Sequence, residues 1–150
     1  MLGVSRVSRL LLAVLCVSGC SHLLARPDDS QSHAPAALIG NFDDDYGAHF
    51  SLSDSVFFQR PRNRFHIVRW DKQQQFFVAR NDSLNGSDAN RWTRVDWVML
   101  DAMAPYSWGF CLSVYNATTR AIAESTTVAH RDTPRTGCNG FPFTRMKRPQ

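Results

Sequence analysis

Lysine and glutamate are nearly missing from this 150-residue chain: Lys72 and Lys147 are the only lysines and Glu124 the only glutamate. Both residues favour exposed helices, so their scarcity counts against a helix-rich fold and tilts the chain toward β structure. The N-terminal apolar run, Leu10–Val17, falls far short of the roughly 18 apolar residues that a membrane-spanning helix needs. No C-x-x-C pair, internal repeat or low-complexity run is present, which removes the usual zinc and dithiol frameworks and the repeat architectures. A dense basic surface is lacking too. The chain has 17 basic and 13 acidic residues, and two of the basic ones, Arg6 and Arg9, fall in the N-terminal leader. The rest are close to balance, which excludes nucleic acid as the main partner.

What is present begins at that leader. Arg6 and Arg9 precede Leu10–Val17, and Val17-Ser18-Gly19-Cys20 follows. Charge, then apolar run, then small residues is the order of an export signal. Gly19 supplies the small residue that cleavage before Cys20 favours, whereas Cys16 follows the bulky Leu15. An ordinary signal cut after Ala25 would place Leu23 where a small residue is wanted. The four residues ending at Cys20 resemble the lipobox of bacterial lipoproteins. That resemblance implies a signal peptide over 1–19, acyl chains on Cys20 and attachment to a membrane without spanning it. Each buried methylene adds about 0.8 kcal/mol to such an anchor. Ser21 is not the aspartate that holds enteric relatives at the inner membrane, so the resemblance points to the outer membrane of a bacterial envelope.

Residues 20–39 read as the lipidated cysteine and a flexible tether, with Pro27 and Pro35 and little apolar bulk. His22 and His33 in it are expected to be solvated. Residues 40–150 are expected to form one small β-rich domain. Cys111 and Cys138 remain in an oxidising compartment, where an isolated pair forms a bridge. Closing that loop is worth roughly 3–4 kcal/mol in the chain-entropy model.

Period-two alternation recurs along the domain. A first strand is expected with Tyr46, Ala48, Phe50 and Leu52 on one face, after Asp43-Asp44-Asp45 as a solvated lead-in. Further strands are expected from Val56, over Arg64–Trp70, Gln74–Arg80, Arg91–Leu100 and Ser107–Tyr115. In the second of these, Phe65 and Ile67 oppose His66, Val68 and Trp70. Ala117–Ala129 suggests one short helix with Asn116 as N-cap. Thr133–Phe143, rich in proline and glycine, should be irregular and held by Cys138. The fold class is thus mainly β: a small antiparallel meander, barrel-like or a curled sheet, with one short helix and a disulfide-pinned tail.

Gly40-Asn41-Phe42 resembles the G-x-W opening of lipocalins with phenylalanine in place of tryptophan, and the Phe76–Asn81 run after an Asp71-led turn is similar to calycin hairpins. The likeness covers about a third of the chain. It implies a lipocalin-like carrier of a small apolar ligand, an analogy of architecture that does not itself confer binding.

Three segments are candidate sites. Trp92, Arg94 and Asp96 share one face of a strand whose other face, Thr93, Val95, Trp97 and Met99, is core-like. Tryptophan and arginine are favoured anchors in binding surfaces, so this is the candidate binding face. Arg60, Arg62 and Arg64 lie two apart around Pro61; an extended backbone would aim all three guanidiniums one way, toward carboxylates or phosphates. Asp43-Asp44-Asp45 could suggest calcium, but neighbouring aspartates on a strand point to opposite sides and no EF-hand spacing exists. No metal ligands, cofactor motif or catalytic residues are assigned. His49, His66 and His130 sit in no nucleophile motif, and a pairing of His49 or His66 with Asp96 is the one catalytic arrangement left open. The resulting expectation is a lipid-anchored envelope protein with a non-catalytic binding domain. Its partner would be another envelope protein, an acidic glycan or a small apolar ligand; a small envelope hydrolase is the remaining alternative.

Overall fold

The computed structural model describes residues 33–150; the signal segment, Cys20 and the tether up to residue 32 lie outside them. Eight antiparallel strands follow one another around a closed barrel: β1 (Gly40–Asp44), β2 (His49–Leu52), β3 (Val56–Gln59), β4 (Asn63–Asp71), β5 (Phe76–Asn81), β6 (Trp92–Met99), β7 (Tyr106–Ala117) and β8 (Thr144–Lys147). Closure joins β1 to β8, with Asp43 opposite Lys147 and Asp44 opposite Met146. The connections therefore alternate between two ends. Loops β1–β2, β3–β4, β5–β6 and the long β7–β8 connection leave from one end. The chain enters and exits at the other, beside loops β2–β3, β4–β5 and β6–β7.

Two strands lie where none was expected. β1 occupies the aspartate lead-in, and Tyr46-Gly47 is a turn rather than a strand start. Asp44 makes that turn: its buried carboxylate accepts the N–H groups of Tyr46 at 2.9 Å and Ala48 at 2.7 Å. β8 closes the barrel from just beyond the irregular tail. The single helix, α1 (Arg120–Ser125), is capped by Thr119 and not by Asn116, the Thr119 Oγ1 accepting the Ile122 N–H at 3.3 Å.

Alternation decides which side chains fill the barrel, and a bulge at one point reverses it. Ile67 pairs with Ala79 but Arg69 with Val78, so Val68 is the extra residue and is left half exposed. A bulge of one residue moves everything after it to the opposite face. Trp70 accordingly turns inward beside Phe77, at 4.7 Å between ring centroids, and its indole N–H donates to the Asp54 carbonyl at 2.8 Å.

The interior is built mainly of rings. Phe42, Phe50, Phe57, Phe65, Trp70, Phe77, Trp97, Trp108 and Phe110 are all buried in one cluster with Leu52, Val95 and Met146. Phe57 on β3 and Phe110 on β7 face each other from diametrically opposite strands, with centroids 5.4 Å apart in edge-to-face contact. Phe50 reaches the same Phe110 at 5.5 Å. Eight strands leave an interior just wide enough for side chains to fill. These rings span it.

The folded part starts before Gly40. Leu38, in a short 3-10 turn over Ala36–Leu38, is fully buried against the barrel core, and the Ala34 N–H and His33 ring both bind Asp54. Arg148 ties the two chain ends together: it donates to the Ile39 carbonyl at 2.9 Å and stacks 4.2 Å above the Phe42 ring.

Candidate functional site

The face carrying Trp92, Arg94 and Asp96 points away from the lumen, as alternation requires, but it is covered. α1 packs against β5, β6 and β7, and the chain beyond it returns along the same wall. Arg94 and Asp96 are 3% and 1% exposed, so neither offers a surface to a partner. Arg94 Nε and Nη2 donate to the two oxygens of Asp96 at 2.8 and 2.9 Å, a bidentate fork. Arg94 Nη1 donates to the Glu124 carbonyl at 2.7 Å, and its guanidinium lies 3.8 Å above the Phe76 ring. Asp96 also accepts from Arg131 in the tail and from Ser113, the residue that a second bulge leaves unpaired in β7. Arg131 continues to the Trp97 and Gln75 carbonyls at 3.0 and 2.8 Å. Beside this cluster Cys111 is bonded to Cys138. Charge and disulfide together fasten α1 and the tail to the wall. Only Trp92 keeps an accessible edge, with Arg80 5.1 Å from its ring centroid.

The arginine triplet is arranged differently from an extended array. Residues 60–62 form the turn between β3 and β4, so the hairpin, and not strand spacing, brings side chains together. Arg64 pairs across with Phe58, and both Arg60 and Arg64 converge on the Phe58 ring at 5.3 and 4.2 Å. Arg62 sits exposed at the turn. Among the described residues none of the three has a carboxylate within 4 Å. A shallow groove of about 470 Å³ runs beside them, between Phe58, Val56 and the outer faces of β1 and β2.

Histidines meet aspartates, though not Asp96. His49 Nδ1 lies 2.6 Å from Asp43, and His66 Nε2 2.7 Å from Asp82, both on the outer surface. The hydrogen bond to His66 and the Leu84 N–H hold the Asp82 carboxyl below the usual aspartate range. Among the described residues no hydroxyl or thiol bonds to either imidazole, so neither pair has the nucleophile partner of a triad. The three aspartates of the lead-in are spent separately: Asp43 on His49, Asp44 on its turn, and Asp45 on Arg145 at 2.9 Å.

One concavity has no counterpart in the sequence reading. A cleft of about 390 Å³ lies outside the barrel, floored by Leu100 and Phe143, walled by Pro134 and Pro142, and rimmed by Tyr46 and Arg135. Its walls come from three loops that only the disulfide and strand closure bring together. The proline spacing of the tail was its one sequence signal. By contrast the barrel mouth between β3, β4 and β7 is small, about 110 Å³, and Asn85 closes over it by binding both the N–H and the carbonyl of Arg64.

No family model, curated protein or solved structure matches the chain.

Proposed function

We propose that this is a lipid-anchored protein of the bacterial envelope, acylated on Cys20, whose barrel binds a partner through its outer wall without turnover. The observation that supports it is the ring contact between Phe57 and Phe110 across the full width of the lumen. A carrier needs a ligand-sized cavity inside, of roughly 300 Å³ or more. Here the corresponding volume is taken by aromatic side chains. The outer wall instead offers guanidiniums with no carboxylate partner, and Arg60, Arg62 and Arg64 are its anion contacts.

Titration with N-phenylnaphthylamine, an environment-sensitive apolar dye, separates this reading from the lipocalin-like carrier. Weak, non-saturating fluorescence is expected; saturable one-to-one binding to the unmodified protein would establish the carrier. Labelling with a fatty-acid analogue tests the anchor, since label that persists in a Cys20→Ala variant rules it out.

A further inference from the structure

Six of the twelve arginines among the described residues are occupied. Arg69, Arg94, Arg120, Arg131 and Arg145 pair with carboxylates, and Arg148 with backbone carbonyls. Among the described residues seven have no carboxylate within 4 Å: Arg60, Arg62, Arg64, Arg80, Arg91, Arg135 and Arg148. Five of those seven belong to one region. Arg60 and Arg62 lie in the β3–β4 turn, Arg64 opens β4, Arg80 closes β5 and Arg91 precedes β6. The register sets them side by side on the outer wall: Phe58 opposite Arg64, His66 opposite Arg80, and Arg80 opposite Trp92. Arg64 and Arg80 are thus diagonal neighbours across the β4–β5 pair, about 7–8 Å apart at the backbone.

The heads are positioned as well as gathered. Arg60 and Arg64 lean on Phe58 and Arg80 on Trp92, so rings support the guanidiniums that water would otherwise leave mobile. Asp43, Asp82 and Asp88 are nearby, and Asp43 and Asp82 are engaged by His49 and His66. The excess is clearly positive.

We propose that this row, from Arg60 through Arg64 to Arg80, is a binding site for a linear acidic glycan bearing carboxylates. The proposal rests on the outer-wall reading above and names its ligand. Three features select the class. The guanidiniums form two groups along the outer wall, Arg60 and Arg64 on Phe58 and Arg80 on Trp92, so they match a chain with repeated charges better than one small anion. Each guanidinium can take a carboxylate by a two-point fork. The aromatic faces are already covered by arginine, so recognition is by charge and not by stacking on sugars. Anionic lipid headgroups are the competing ligand, and the headgroup probe below separates the two.

The test uses the full chain, lipidated and in detergent, with polygalacturonate oligomers, neutral dextran oligomers and glycerophosphoglycerol, the soluble headgroup of phosphatidylglycerol, as probes. Polygalacturonate is expected to bind with an affinity that falls as salt rises, and dextran not to bind. The combined Arg60→Gln, Arg64→Gln and Arg80→Gln variant is expected to weaken binding at least tenfold with its melting curve retained. Arg135→Gln, which removes the unpaired arginine outside the row, should leave affinity unchanged. If the triple variant unfolds, Arg64→Lys alone decides, by losing affinity while it keeps charge. Equal loss in Arg135→Gln, equal binding of dextran, or tighter binding of glycerophosphoglycerol than of glycan would overturn the proposal. Failure of the glycan with the dye still excluded would refute this ligand alone; saturable dye binding would refute the outer-wall reading itself.

Discussion

Arg94 and Asp96 are the residues whose meaning changes most between sequence and structure. Alternation places them correctly on the outward face of β6, opposite Thr93, Val95 and Trp97. What it cannot show is the cover, because the third member of the cluster, Arg131, comes from 35 residues further along. A buried pair loses far more when one partner is removed than when both are replaced. Asp96→Asn should therefore destabilise the domain by about 3–5 kcal/mol, while Arg94→Met with Asp96→Leu costs less than that single change. Urea melts of the two variants check the order. Trp92→Ala should cost less than the about 3–5 kcal/mol of a fully buried aromatic, since one edge of the ring is already wet. Asp82 offers a pH prediction. Its hydrogen bonds lower the folded-state pKa, so the stability it contributes is present above the unfolded pKa and is lost as pH falls through the folded one. Carboxyl NMR titration should place Asp82 below the ordinary aspartate range, and His66→Ala should move it upward.

At the scale of elements, the strands that the sequence makes legible are those buried on one face and bounded by turn residues: β2 to β7 in substance. β1 and β8 are short and supply charge to the outer wall, through Asp43, Arg145 and Lys147. They are strands because β1 pairs with β2 and β8 with β7, and they meet each other at the closure, tertiary facts that local alternation carries faintly. The bulge at Val68 hides for a related reason. Nothing in Phe65–Trp70 signals that the period breaks, yet Trp70 reaches the lumen only through it. The β7–β8 connection makes the sharpest element-scale prediction. With α1 and the tail fastened by Cys111–Cys138, Cys138→Ala should lower stability by about 3–4 kcal/mol. Hydrogen exchange should quicken first in residues 126–143, while the β1–β5 amides stay protected.

For the whole molecule, the expected meander was visible and its closure was not, because closure depends on shear and on the two faint strands. The candidate site was legible in part. Arg60, Arg62 and Arg64 are singled out by their spacing, but Arg80 joins them only through the pairing of β4 with β5. The filled lumen follows from closure together with ring size. Phe57→Ala should cost about 3–5 kcal/mol and leave an apolar cavity able to admit a small apolar guest, which the unmodified barrel excludes. The central claim, that the lumen is a core and not a binding chamber, is tested most directly by ring-to-ring nuclear Overhauser effects between Phe57 and Phe110. Strong cross-peaks, unchanged when N-phenylnaphthylamine is added, are predicted from the 5.4 Å centroid distance. Their absence, or their disappearance as the dye saturates, would contradict it.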